Sequence, residues 1–300
     1  MYDAIIVGGS YAGISAALQL ARARRRIAVI DSGKRRNRFA ATSHGFLSRD
    51  GEEPGRIAAE ARRQLLEYAT VDWIDGEATS AAGTIDAFQV EAAGQTLHAR
   101  RLLLAHGVID ELPEVPGLAE QWGRHVFHCP YCHGYELNEG EIGVLAVGPQ
   151  SMHQALMLPD WGRTTFFTNG AFDPDNAERA QLEKRGTAIE PAGVVAVEPV
   201  GSGIALRLED DRTAQLAGLF VAPRTKPAST IATQLGCDFE SGPMSSTILT
   251  DDMKETTVPG VYACGDAARS SGNVAVSVAD GTMAGTALHR SLMFAGLQAG

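Results

Sequence analysis

The chain opens on a run of apolar, mostly branched residues, Tyr2 to Val7 (YDAIIV). It is short enough for a strand and apolar at successive positions, as a strand buried on both faces must be. GGSYAG follows, and then ISAALQLARAR, where apolar residues recur at i, i+3 and i+4 as on a helix. A second apolar run, Ile27 to Ile30 (IAVI), ends at Asp31. Similar strand-like runs return at Ile142 to Gly148 (IGVLAVG), Thr164 to Thr168 (TTFFT) and Val261 to Cys264. His153 to Leu158 begins a helix after the first of these, and a helix rich in small residues starts near Asn273 after the last. Phe88 to Val90 and Ile204 to Leu208 alternate as small peripheral antiparallel strands do. The pattern predicts an α/β protein.

Strand, glycine turn, helix, strand and acid together make a βαβ dinucleotide unit. Gly8 permits the tight turn, and Gly13 lets the helix lie close on the strand. Ser10, Tyr11 and Ala12 open the helix, whose free N–H groups point at a pyrophosphate. Ser10 takes the place of the middle glycine of G-x-G-x-x-G and is small enough for phosphate approach to survive. Asp31 is placed to accept hydrogen bonds from a ribose.

Length and charge narrow the class. Three hundred residues suggest two domains, and 44% hydrophobic residues can fill their cores. The net charge of −10 argues against nucleic acid. The cationic runs Arg22 to Arg26 and Lys34 to Arg38 (KRRNR) are expected to be solvated faces. No segment has the roughly 18 apolar residues of a membrane span, and MYDAIIVGG offers no signal peptide. The expected compartment is the cytoplasm, where structural disulfides among four cysteines are not expected.

HCPYCHGYE, His128 to Glu136, therefore needs a chemical reason. A c-type haem would need export. A metal would need ligands that no second CxxC or HxxxH supplies, so no metal is expected. A redox pair survives best. Only a thiolate attacks, so the loop must lower a thiol pKa. A protonated imidazole at His133 would do so and could return a proton to the leaving sulfur. His128 is expected to be structural, and Pro130 and Tyr131 to stiffen and cover the loop. Cys237 and Cys264 read as buried apolar residues, and Trp122 and Trp161 as packing residues.

Near the other end, TVPGVYACGD places Gly265 and Asp266 after a strand and before the small-residue helix. An acid at such a turn can hold a ribityl hydroxyl. With the CxxC, these blocks resemble the thioredoxin reductase group of FAD-dependent pyridine nucleotide-disulphide oxidoreductases, and the resemblance implies that the helix start, Val274 and Ala275, faces a flavin ring. CPYCHGYE together with SHGFLSRDG (Ser43 to Gly51) is also similar to the flavin dithiol oxidases of gliotoxin and holomycin type. His44, in that stretch, is a candidate neighbour of the flavin.

The resemblance implies two Rossmann-like three-layer domains, with the FAD domain split by an inserted NAD(P)-like domain that carries the CxxC. The proline-rich joints LPEVPG and VAPRTKP set the divisions at 1–112, 113–221 and 222–300. It also implies FAD as cofactor, Cys132 as the flavin-facing sulfur and Cys129 as the interchange thiol. The implied partner is a thioredoxin-like protein or a small dithiol or disulfide, and the implied assembly a homodimer. Two residues depart from the group: His133 stands where it has an aspartate, and His106 where Leu102 to Gly107 (LLLAHG) should end in Ala-Thr-Gly.

The nicotinamide turn departs further. After the IGVLAVG strand comes GPQSMH, with Pro149 lacking an N–H and Gln150 where a second glycine belongs. The next strand runs into NGAFDPDNAE, whose Asp173, Asp175 and Glu178 would repel a 2′-phosphate. NADPH use is disfavoured; NADH could rest on Asp173 but lacks the glycines. Met152 and Met157 are expected to fill the vacated space. The expected function is a thiol–disulfide oxidoreductase passing electrons between the CxxC pair and FAD without NADPH, either to O₂ or from another donor. An NAD(P)H-dependent thioredoxin reductase and a non-catalytic flavin/CxxC redox sensor are the alternatives.

Overall fold

The computed structural model describes residues 1–270 and 272–294. β1 (Tyr2–Val7) turns into α1 (Tyr11–Arg22), and β2 (Ile27–Asp31) lies parallel to β1. A long loop leads to α2 (Pro54–Leu65) and β3 (Val71–Asp75), then to a meander of β4 (Ala78–Ala82), β5 (Phe88–Ala92) and β6 (Gln95–Leu104). The chain leaves through β7 (Val108–Glu111).

The next stretch holds β8 (Val126–Phe127), α3 (Pro130–His133), β9 (Glu139–Leu145), α4 (Ser151–Met157), β10 (Gly162–Phe167), α5 (Asn176–Arg185) and β11 (Ala188–Glu190). A meander of β12 (Val194–Val200), β13 (Gly203–Leu208) and β14 (Thr213–Leu216) precedes β15 (Gly218–Val221). β16 (Arg224–Pro227) pairs antiparallel with β7, so the outward and return crossings run side by side. α6 (Ile231–Leu235), the hairpin β17 (Phe239–Ser241) and β18 (Ser246–Ile248), β19 (Val261–Ala263) and α7 (Val274–Phe294) complete the described chain.

Two sheets with parallel cores result, the first extended by β5 and β4, which run antiparallel beyond β6. The first runs β3-β2-β1-β6, with β19 pairing parallel to the far side of β6. The ten residues of β6 make this possible: Gln95–Ala99 pair with β5 and Leu102–Leu104 with β19. The second sheet runs β11-β10-β9-β15-β8 and takes no strand from either end of the chain. The fold is therefore two Rossmann-like layers-on-a-sheet units, one assembled from both ends of the sequence.

Successive strand residues point to opposite faces, and in β1 both faces are covered. Ala4 and Ile6 join Leu20, Val29 and Leu288 under the helices, while Ile5 and Val7 join Ile30, Phe88 and Leu104 on the other side. This two-sided burial is why the strand sequence shows no polar alternation. Each fully buried Leu or Ile contributes about 2 kcal/mol. α1 and α7 meet over small residues, with Gly281 against the backbone of Ala12 and Gly285 against that of Ala16. That contact holds the α1 start beside the Gly265 turn.

Candidate active site

A cleft opens where β1, β6 and β19 end. Ser10, Tyr11, Ala12, Gly265, Asp266 and Val274 line it from the first sheet, and Cys129, Cys132 and His133 from the second. The structure thus brings the two expected nucleotide blocks and the CxxC to one place. Gly8, Gly13, Asp31 and Ala275 are not in the lining and act from behind it. Gly8 has φ of +109°, and a side chain there would run into the Ala105 backbone. A Cβ on Gly13 would strike the Gly8 carbonyl. Asp31 Oδ1 accepts the Gly9 N–H at 3.1 Å, bracing the turn. The Tyr11 hydroxyl donates to the Pro54 carbonyl and receives Asn37 Nδ2, both at 3.1 Å, so it ties the long loop to α2.

The KRRNR run is not the solvated face expected of it. Arg36 turns inward, grips Asp110 with Nε at 3.0 Å and Nη2 at 2.5 Å, and reaches Asp266 with Nη1 at 2.9 Å. A basic run has no periodicity to reveal this. The available signal was its position, directly after the acid that ends β2, where the chain must pass the cleft. Arg35, Asn37, His106 and His128 also line the cleft, and each has a buried side-chain polar atom without a partner. Such atoms cost about 1–3 kcal/mol each when unpaired. Burial holds the pKa of His106 and of His128 below the ordinary value, so both present neutral rings. A long polar ligand with donors and acceptors along its length satisfies this set, which fits FAD.

Cys129 caps the start of α3, with Pro130 in its first turn, and is disulfide-bonded to Cys132. Gln154, buried on α4, donates Nε2 to the His128 carbonyl at 2.7 Å and so fixes the segment entering the pair. The ring of His133 stacks on Phe127. Burial, then the charges of His44 and His128, lower its pKa to about 4. The protonated imidazole expected at this position is therefore corrected: with the disulfide closed, burial keeps the His133 ring neutral. A thiolate formed beside it would raise its affinity for a proton. Tyr131 is exposed and stands edge-on to Trp161, leaving the turn accessible.

In the second sheet, Gly148 has φ of +154°, and a Cβ there would lie 2.6 Å from Gln150 Oε1. The glutamine amide thus lies over the glycine at the mouth of a turn meant to stay open for phosphate. The acids downstream serve locally: Asp175 and Glu178 form a capping box on α5, and Asp173 pairs with Arg179. Met152 is buried beside Phe166 and Leu158.

The sequence pattern of the pyridine nucleotide-disulphide oxidoreductases matches residues 2–281. The chain belongs to that family. It is accordingly an FAD-type disulfide oxidoreductase. Thioredoxin reductase tcpT of Claviceps purpurea is 34% identical over 303 residues, covering 94% of this chain and 92% of that protein. A crystal structure of an oxidoreductase from Agrobacterium tumefaciens shares 54% identity with a TM-score of 0.94, covering 98% of this chain and 99% of the other. The crystal structure of HlmI shares 35% identity with a TM-score of 0.91, over 99% of this chain and 94% of that one. Among the described residues of this family member, no helix is long and apolar enough to cross a membrane.

Proposed function

We propose that this oxidoreductase oxidises dithiols to disulfides and disposes of the electrons without a nicotinamide. The observation that carries this is the covered turn at Gly148, where Pro149 removes an N–H and Gln150 occupies the approach. The units are 1–112 with 222–300 for FAD and 113–221 for the disulfide. Ser10, Tyr11 and Ala12, on the turn shaped by Gly8, Gly13 and Asp31, would hold the pyrophosphate and a ribose; Gly265, Asp266 and Val274, backed by Ala275, would hold the ribityl chain and ring. Bound there, FAD would supply an acceptor for an electron pair and one proton, with O₂ as the proposed final oxidant.

The chain's own residues do the sulfur chemistry. His133, neutral, takes the proton of an incoming thiol. The thiolate attacks Cys129, the Cys129–Cys132 bond breaks, and Cys132 leaves with the electron pair of that bond. The second substrate thiol attacks the sulfur joined to Cys129, closing the substrate disulfide and releasing a reduced cysteine pair. One dithiol is oxidised and one disulfide reduced, with both protons kept between the sulfurs and His133. A small dithiol or a thioredoxin-like protein fits the accessible turn. The proposed setting is the cytoplasm, and the proposed assembly a homodimer.

The name of the Claviceps relative favours a second reading, reduction of a thioredoxin-like protein by NAD(P)H. Anaerobic titration of the FAD-loaded protein separates the two. Dithiothreitol should bleach the flavin, with peroxide forming when air returns, while NADPH and NADH leave the colour unchanged. Bleaching by either nucleotide within seconds would establish the reductase instead.

A further inference from the structure

The loop between β2 and α2 comes back to the disulfide. It closes on itself through Ser43 N–H to the Glu52 carbonyl at 2.8 Å and Gly45 N–H to Asp50 Oδ1 at 2.7 Å. That closure carries His44 into the cleft shared by Cys129, Cys132 and His133. There His44 Nε2 lies 3.3 Å from Glu136 Oε1, and Nδ1 lies 3.5 Å from Asp50 Oδ2. Glu136 follows His133 by three residues through successive helical turns, Pro130–His133 and Tyr135–Leu137, so both project from one side of the segment. Side-chain exposure rises along the series, from 18% at His44 to 42% at Glu136 and 69% at Asp50.

We propose that His44, with Glu136 and Asp50, is the route by which a proton leaves His133 for solvent in each turnover. The inference rests on the dithiol-oxidase reading above. Oxidising one dithiol breaks two S–H bonds, forms one S–S bond and frees two electrons and two protons. Bound FAD would take the pair with one proton, leaving one proton on His133 to be released to solvent and taken up again when peroxide forms. His133 receives that proton in a largely buried position and needs a carrier to water. His44 is within electrostatic reach, since after burial its charge is the largest influence holding the His133 pKa down.

The test is stopped-flow reduction of the FAD-loaded protein by dithiothreitol under anaerobic conditions, in wild type, His44→Ala and Glu136→Gln. Both variants should lower the limiting rate by about ten-fold or more. Added imidazole, at fixed pH and ionic strength, should restore much of the rate in His44→Ala and leave wild type unchanged. Glu136→Gln keeps the shape of the contact, so its loss is not one of folding; FAD content and circular dichroism check this for both. Unchanged limiting rates, an effect on KM alone, or slowing that imidazole does not relieve would each overturn the relay while leaving the dithiol-oxidase reading intact. If dithiothreitol fails to reduce wild type, that reading falls and the relay with it.

Discussion

His133 lies flat against Phe127, with ring centroids 4.4 Å apart and planes 23° from parallel. The contact shields one face of the imidazole from water, and burial is the main reason its pKa falls to about 4. A base with a folded pKa below its unfolded value of about 6.5 binds more protons when the chain unfolds. Stability should therefore rise with pH between those two values and be lost as pH falls through them. For the disulfide form, proton acceptance by His133 should persist to mildly acidic pH and fail as pH approaches its pKa. Phe127→Ala lets water reach the ring and should move the acid limb of dithiol-driven flavin reduction upward, toward about 6. A pH–rate profile of the variant checks this, and an unmoved limb would show that the stack does not set the pKa.

Arg36 holds two acids from distant parts of the chain, and Asp110 is only 7% exposed in the pair. Arg36→Met should leave that carboxylate without a cation, at a cost of about 3 kcal/mol, seen as a lower urea midpoint. Adding Asp110→Asn should recover part of the loss, because the unpaired charge goes with it. Equal and additive losses would mean that the two residues do not depend on each other.

Gly281 lets α7 approach α1 until its backbone meets that of Ala12. Gly281→Ala gains about 1 kcal/mol of helix propensity but forces a methyl into the Ala12 carbonyl, which costs about 1–3 kcal/mol or more in a packed contact. The net effect should be a lower melting temperature. Because Ala12 stands in the cleft wall, FAD release should also speed up, measured by flavin fluorescence on dilution. A more stable variant that retains FAD would show that the helices can part without consequence.

The sequence made β1, α1 and β2 legible because regular elements repeat a period, and Gly8, Gly13 and Asp31 fall at fixed offsets from it. The cysteine pair stood out by its spacing, and the absence of further metal ligands and of export signals, with the family resemblance, singled out its redox reading. Arg36, the contact of His44 with Glu136 and the Phe127 stack were not, for a common physical reason. Residues 32–53 form an irregular loop between β2 and α2, so its side chains are directed by contacts with Asp110, Glu136 and Asp266, far along the chain. The charge of His133 was misjudged for the same reason, since sequence shows the neighbouring thiols but not the aromatic ring that removes water.

Cys129 and Cys132 sit one helical turn apart, with the Cys132 N–H 3.2 Å from the Cys129 carbonyl, so one sulfur can face the flavin while the other meets substrate. Either Cys→Ser change should abolish dithiol-driven turnover, because no disulfide can form. The two variants should differ in colour. Cys129→Ser should keep a thiolate at Cys132 beside the ring and develop long-wavelength charge-transfer absorption, whereas Cys132→Ser should not. If the band develops in Cys132→Ser instead, the roles are exchanged and Cys132 is the sulfur that substrate attacks. His133→Ala in the Cys129→Ser background adds a second measurement: loss of the imidazole should move the pH at which the band fades, since a proton acceptor next to the thiolate is then missing.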